Sequence, residues 1–178
     1  GISNDVAMLD EAVIPTRGGD WYDGGLWQDV FLHKWGTKND LVKGSWDYLY
    51  RVIAQANKSL DKLNEILAKD PENTSVPKYI SEVRAFRALY YYYLLDMFAR
   101  VPLVTSSTTA MADVEQSERS VVFTFVKTEL EESVADLSDA HSNLPGEYYG
   151  RITKPVAYFL LAKLALNAEI YTDRSEEH

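Results

Sequence analysis

Residues 45–69 read SWDYLYRVIAQANKSLDKLNEILAK. Trp46, Leu49, Ile53, Ala56, Leu60, Leu63 and Leu67 recur in steps of three and four, the period that lays one apolar stripe along an α-helix. The helix ends ahead of Asp70-Pro71, because the residue before a proline is pushed out of helical backbone. Three stretches downstream carry the same period. Residues 77–98 present Val83, Phe86, Tyr90, Leu94 and Met97, with Ser75 as cap and Pro77 in the first turn. Tyr90-Tyr91-Tyr92-Tyr93 puts rings all round that helix, which predicts burial on several sides. Residues 121–138 present Val122, Val126, Leu130, Val134 and Leu137 inward, with Ser117 or Ser120 to cap. Lys127, Glu129, Glu131, Glu132 and Asp136 face water there. Residues 154–171 present Val156, Leu160, Leu164 and Ile170, with Thr153 as cap and Pro155 in the first turn.

Four such helices predict an all-α chain of long hairpins, first with second and third with fourth. The arrangement is like tetratricopeptide repeats without their strict signature. Residues 100–118 form the loop between the pairs. Val101-Pro102-Leu103-Val104-Thr105 is extended there, and Thr105 to Thr109 is turn-like. The chain divides into a loop-rich segment, 1–44, and a helical region, 45–178.

Composition narrows the function classes. The 178 residues carry a net charge of -9, with 46% apolar residues, enough for a real core. An acidic surface repels phosphate backbones, so no nucleic-acid partner is expected. There are no cysteines, so thiol catalysis, disulfides and cysteine-built metal sites are excluded. The three histidines, His33, His141 and His178, lack ligand spacing, and neither metal nor cofactor is expected. No stretch is long and apolar enough to span a bilayer. Both ends, at Gly1 and in the charged run Asp173 to His178, read as cuts in a longer chain. Twelve Tyr and four Trp are the one excess, and their rings offer a flat apolar face with a polar edge.

Residues 14–35, IPTRGGDWYDGGLWQDVFLHKW, differ from all of this. Gly18-Gly19 and Gly24-Gly25 interrupt helix, and Trp21, Trp27 and Trp35 cluster here. Binding of a saccharide requires aromatic faces for the C–H face of a pyranose and planar polar groups for its paired hydroxyls. Arg17, Asp20, Trp21, Tyr22, Asp23 and Trp27 supply both within eleven residues. The structural alternative is that Trp21 and Trp27 plug the segment onto the helices and that Arg17 pairs with Asp20 or Asp23. Asp20 and Asp23 as a glycosidase pair is a weak reading, since such carboxylates flank a bond across a cleft. Asn57, Arg84 and Arg87, polar groups near apolar faces, read as a network tying helices together.

Four strings resemble the SusD/RagB family: PTRGGDWYDGGLW (15–27), WDYLYRVIAQANKSLDKL (46–63), SEVRAFRALYYYYLLDMFARVPLVT (81–105) and GRITKPVAYFLLAKLALNAEIYT (150–172). They cover most of the chain in family order. The resemblance implies a helical, tetratricopeptide-like (SusD-like) scaffold. It also implies a non-enzymatic protein on the outer face of the bacterial outer membrane. Such a protein is lipid-anchored through an N-terminal cysteine absent from this sequence. Its implied partners are an oligosaccharide or polysaccharide and a TonB-dependent outer-membrane transporter (SusC-like). One departure is Ala99-Arg100 ahead of Val101-Pro102-Leu103, where many members carry a glycine-containing turn. The alternative function is a helical-repeat scaffold whose main role is protein contact with the transporter. An open aromatic shelf at 17–27 would favour sugar, and buried indoles there would favour the scaffold.

Overall fold

A computed structural model describes residue 15 and residues 17–172. Ile14, Thr16 and the charged tail 173–178 with its His178 lie outside the described residues. The chain is predominantly helical: α1 (Leu26–Phe31), α2 (Asp40–Lys69), α3 (Val76–Phe98), α4 (Arg119–Ser133), α5 (Lys154–Leu166) and α6 (Ala168–Thr172). Two short strands, β1 (Val101–Pro102) and β2 (Gln116–Ser117), pair antiparallel, with Val101 opposite Ser117. Described residues up to Tyr48 form one compact unit, and those from Leu49 form another.

Helix α2 begins five residues ahead of the sequence reading. Asn39 supplies the cap: its Oδ1 accepts from the backbone N–H of Leu41 (3.0 Å) and Val42 (3.3 Å). Gly44 lies inside the helix instead of starting it. Leu49, Ile53, Ala56 and Leu60 are buried, as the period predicts, and Asn57 is buried beside them.

Helix α3 is capped differently from the expectation. Ser75 makes no capping hydrogen bond, and Asn73 Oδ1 accepts from Ser75 N (3.1 Å) and Val76 N (3.0 Å). An Asn73→Ala substitution is expected to lower stability by about 1 kcal/mol. Thermal unfolding followed by circular dichroism checks this, and an unchanged midpoint would assign the helix start to Pro77 alone. At the other end Ala99 takes φ 58°, a value glycine adopts at little cost. That is where the sequence departs from the family's glycine-containing turn.

The buried side of α3 also differs from the expected one. Ala85, Ala88, Tyr91, Tyr92, Leu94 and Leu95 are buried, whereas Val83, Phe86, Tyr90 and Met97 are only partly covered. Among the described residues, α3 and α4 form the most extensive helix–helix contact. The pairing read from sequence missed this contact, which crosses the long loop.

Two caps and one helix end need correction. Helix α4 starts from Glu118, not from a serine cap, and closes in a 3-10 turn, Val134–Asp136. Thr153 holds the cap position of α5, but its hydroxyl makes no capping bond. The last helix breaks at Asn167, whose Nδ2 donates to Lys163 O (3.0 Å). Tyr171 is therefore buried, while Ile170 is half exposed.

The extended segment 101–105 has little sheet to satisfy it, so side chains do that work. Tyr50 Oη donates to Pro102 O (2.7 Å) and Asn57 Nδ2 donates to Val104 O (2.8 Å). Tyr91 Oη both donates to Val104 O and accepts from Val104 N, each at 2.8 Å. Asp61 Oδ2 then anchors the turn, accepting from Ser107 N (2.9 Å) and Ser107 Oγ (2.6 Å).

Candidate functional site

Residues 17–31 fold as a tight turn, a 3-10 turn and a short helix. Arg17 and Asp20 exchange backbone hydrogen bonds, N to O at 3.1 Å and 3.0 Å, which closes a small hairpin over Gly18-Gly19. A 3-10 turn follows at Asp23–Gly25, and then α1. The chain turns into α1 through Gly24 (φ 68°) and Gly25 (φ 89°). A Cβ at either glycine would meet open space, so backbone conformation and not crowding selects glycine there.

Trp21 (φ 60°) and Asp23 (φ 40°) also have left-handed backbone, without glycine's freedom. Bulky residues rarely adopt it, and such strain gathers where a fold presents a functional group. Trp21 and Tyr22 are about half exposed, at 52% and 53%. The two indoles meet edge to face, with Trp21 and Trp27 centroids 5.8 Å apart at 64°. Trp27 is only partly exposed, and its Nε1 donates to Asp23 Oδ2 at 2.8 Å. Asp23 therefore braces Trp27, and Trp27 backs Trp21.

The six residues expected at the site lie along the hairpin turn, the 3-10 turn and the start of α1, and side-chain contacts join Trp21, Trp27 and Asp23. Trp21 and Tyr22 offer open ring surface. Arg17 and Asp20 are exposed at the hairpin ends, and Asp23 with Trp27 supports from behind. Asp23 is engaged by Trp27, so the geometry gives the glycosidase pairing no support. Among the described residues no group of three or more His, Asp or Glu could hold a metal ion.

The polar network expected around Asn57, Arg84 and Arg87 is present in the helical unit. Arg87 Nη1 donates to Asn57 Oδ1 (2.8 Å) and Thr105 O (2.9 Å), while its Nε donates to Glu129 Oε2 (3.2 Å). Arg84 Nε donates to Glu129 Oε1 (2.9 Å) and its Nη2 reaches Glu132. Glu129 is 6% exposed, so its reading as part of a solvated face is corrected: it is the buried acceptor that two arginines share. The sequence reading also missed Asp61, which holds the Ser/Thr turn.

A SusD-like family model, described as "Starch-binding associating with outer membrane", matches residues 16–166. The chain is 29% identical over 96 residues to the starch-binding protein SusD of Bacteroides thetaiotaomicron, covering 54% of this chain and 16% of that protein. It is 23% identical over 152 residues to a SusD-like protein of Bacteroides ovatus, covering 84% of this chain and 27% of the relative. Among solved structures it is similar to a laminarin-binding SusD-like protein, with TM-score 0.75 and 27% identity. That match covers 93% of this chain and 35% of the other. The surface glycan-binding protein A of Bacteroides uniformis, at 21% identity and TM-score 0.73, shares the fold, covering 93% of this chain and 36% of the other. The chain spans about a quarter or less of the length of these curated relatives.

Proposed function

We infer the function from one premise: the chain belongs to the SusD-like family of starch-binding proteins associating with the outer membrane. The chain binds an oligosaccharide or polysaccharide and does no chemistry on it. Trp21 and Tyr22 receive sugar rings, and Arg17 and Asp20 bond the hydroxyls at the edge. Asp23 and Trp27 hold the shelf in shape. The observation that carries this reading is the open face of Trp21, edge-braced by a second indole in a strained turn.

Relatives named for starch and laminarin point to neutral glucans as the ligand class. In the whole protein the role is capture at the outer face of the outer membrane for a TonB-dependent transporter. Stacking of this kind contributes about 1 kcal/mol per ring, so useful affinity comes from several contacts.

Calorimetric titration with maltohexaose and laminarihexaose tests it. Binding to one of them is expected, and Trp21→Ala is expected to weaken it about fivefold at an unchanged melting temperature. Equal affinity in the variant, or no binding of either sugar, would sink the reading. The scaffold alternative has its own support in the exposed rings of Tyr158 (58%) and Phe159 (66%), with Leu166 (85%) exposed about two turns further along α5. Such an apolar stripe suits a protein surface.

A further inference from the structure

An open cleft of about 450 Å³ lies in the helical unit, between the start of α3, the 3-10 turn Val134–Asp136 and residues 147–152. Small-ligand sites fall in the range of roughly 300–1,000 Å³. Tyr79 lines it with a ring 51% exposed. Tyr148 lines it with a ring whose position is fixed, since the Arg151 guanidinium stacks over it at 4.9 Å. Glu82 holds that guanidinium through both oxygens, accepting from Nε at 2.9 Å and from Nη2.

The carboxylates Glu82, Asp136, Asp139 and Glu147 line this wall together with the cations Lys78 and Arg151. Glu82 and Glu147 face Arg151, Asp139 pairs with Lys154, and Asp136 Oδ2 accepts from Ser81 Oγ (3.1 Å). Each carboxylate keeps further lone pairs able to accept a hydroxyl proton. An anion would meet four carboxylates against two cations there, and a purely apolar ligand would strip water from both. A neutral polyhydroxyl ring meets acceptors, donors and an aromatic face together.

We propose that this cleft is a second saccharide subsite, with Tyr79 as its stacking platform and Glu82, Asp136 and Arg151 as its hydroxyl partners. It rests on the glucan-binding reading of the Trp21 turn and adds a contact on the other compact unit.

The test is amide chemical-shift mapping of the 178-residue chain with maltohexaose and with laminarihexaose at millimolar concentration. It is run on the unsubstituted chain, on Trp21→Ala and on Trp21→Ala with Tyr79→Ala. In Trp21→Ala the signals of Tyr79, Glu82, Tyr148 and Arg151 are expected to shift still. Adding Tyr79→Ala is expected to weaken that response about fivefold. Shifts confined to residues 17–27 overturn the second subsite and leave the loop reading standing. Shifts in the cleft that vanish with Trp21→Ala also overturn it, because the cleft would then not bind independently. No shift anywhere sinks both readings.

Discussion

Glu129→Ala is expected to lower stability by about 3–5 kcal/mol, the range found when one partner of a buried ion pair is removed. For a domain of this size that moves the melting temperature by on the order of 10 °C. Arg87 is 6% exposed and has both Glu129 and Asn57 as side-chain partners. Without Glu129 its charge stays in the interior with only neutral oxygens to meet it, and Arg84 loses its buried acceptor too. Glu129→Gln keeps the shape and one acceptor oxygen, and falls between. Replacing the pair together, Glu129→Leu with Arg87→Met, is expected to recover most of the loss, because a packed apolar pair carries no desolvation cost. Urea unfolding of the three variants checks this. A single-variant loss below about 1 kcal/mol, or a double variant no better than Glu129→Ala, would show that the ion pair does not hold α3 to α4.

The same residue shows where sequence reading stopped. Val122, Val126, Glu129 and Ser133 follow the 4, 3, 4 spacing of a buried helix stripe, and all four are buried. The spacing therefore marked Glu129 as interior, but its charge among Lys127, Glu131 and Glu132 argued for water. A buried arginine expected on the second helix needed a carboxylate, and matching the two would have found it. On α3 the period gave less, because apolar residues surround the helix and no single phase stands out. The signal there was small size: Ser81, Ala85 and Ala88 step along the buried side with Tyr92 and Leu95. Helix α2 was legible because charge and apolar period agree along it. Asn39 shows the limit even there, since a cap ahead of a glycine in the helix's fifth residue looked like loop.

The candidate site was legible as chemistry and not as shape. Six residues within eleven positions announced aromatic and planar polar groups. Which indole is open depends on the backbone at Trp21, and positive φ at a tryptophan has no sequence signature. The bracing of Trp27 by Asp23 is likewise local, four residues apart, but it competes on paper with pairing to Arg17. Unaided spacing could not choose between them.

High pH is expected to unfold the helical unit through its tyrosines. Tyr91 is fully buried, and burial pushes its phenol up to about 12, against the partly offsetting Val104 N–H and the Arg87 charge. Burial raises the phenols of Tyr50 and Tyr171 as well; Tyr91 beside Tyr50 and the Asp96 carboxylate bonded to Tyr171 add to it. In the unfolded chain these groups ionise near 10. A pKa raised on folding means the folded state favours the neutral phenol. The stability it contributes is fully present below about pH 10 and is lost as pH rises through the folded value. For Tyr91 alone the loss between about pH 10 and 12 is on the order of 3 kcal/mol. Urea midpoints are therefore expected to stay level from neutral pH to about 9 and to fall steeply above 10. Phenolate absorbance should rise together with the loss of helical ellipticity. Tyr91→Phe is expected to be less stable at neutral pH, because Val104 N loses its acceptor, by about 1–3 kcal/mol. Its stability should nevertheless fall less between pH 10 and 12, since one of the resisting phenols is gone. All tyrosines titrating near pH 10 with the helices intact would overturn the account. It would mean that the side-chain bonds holding segment 101–105 let water in freely, although the described strand pairing reaches only Val101 and Pro102.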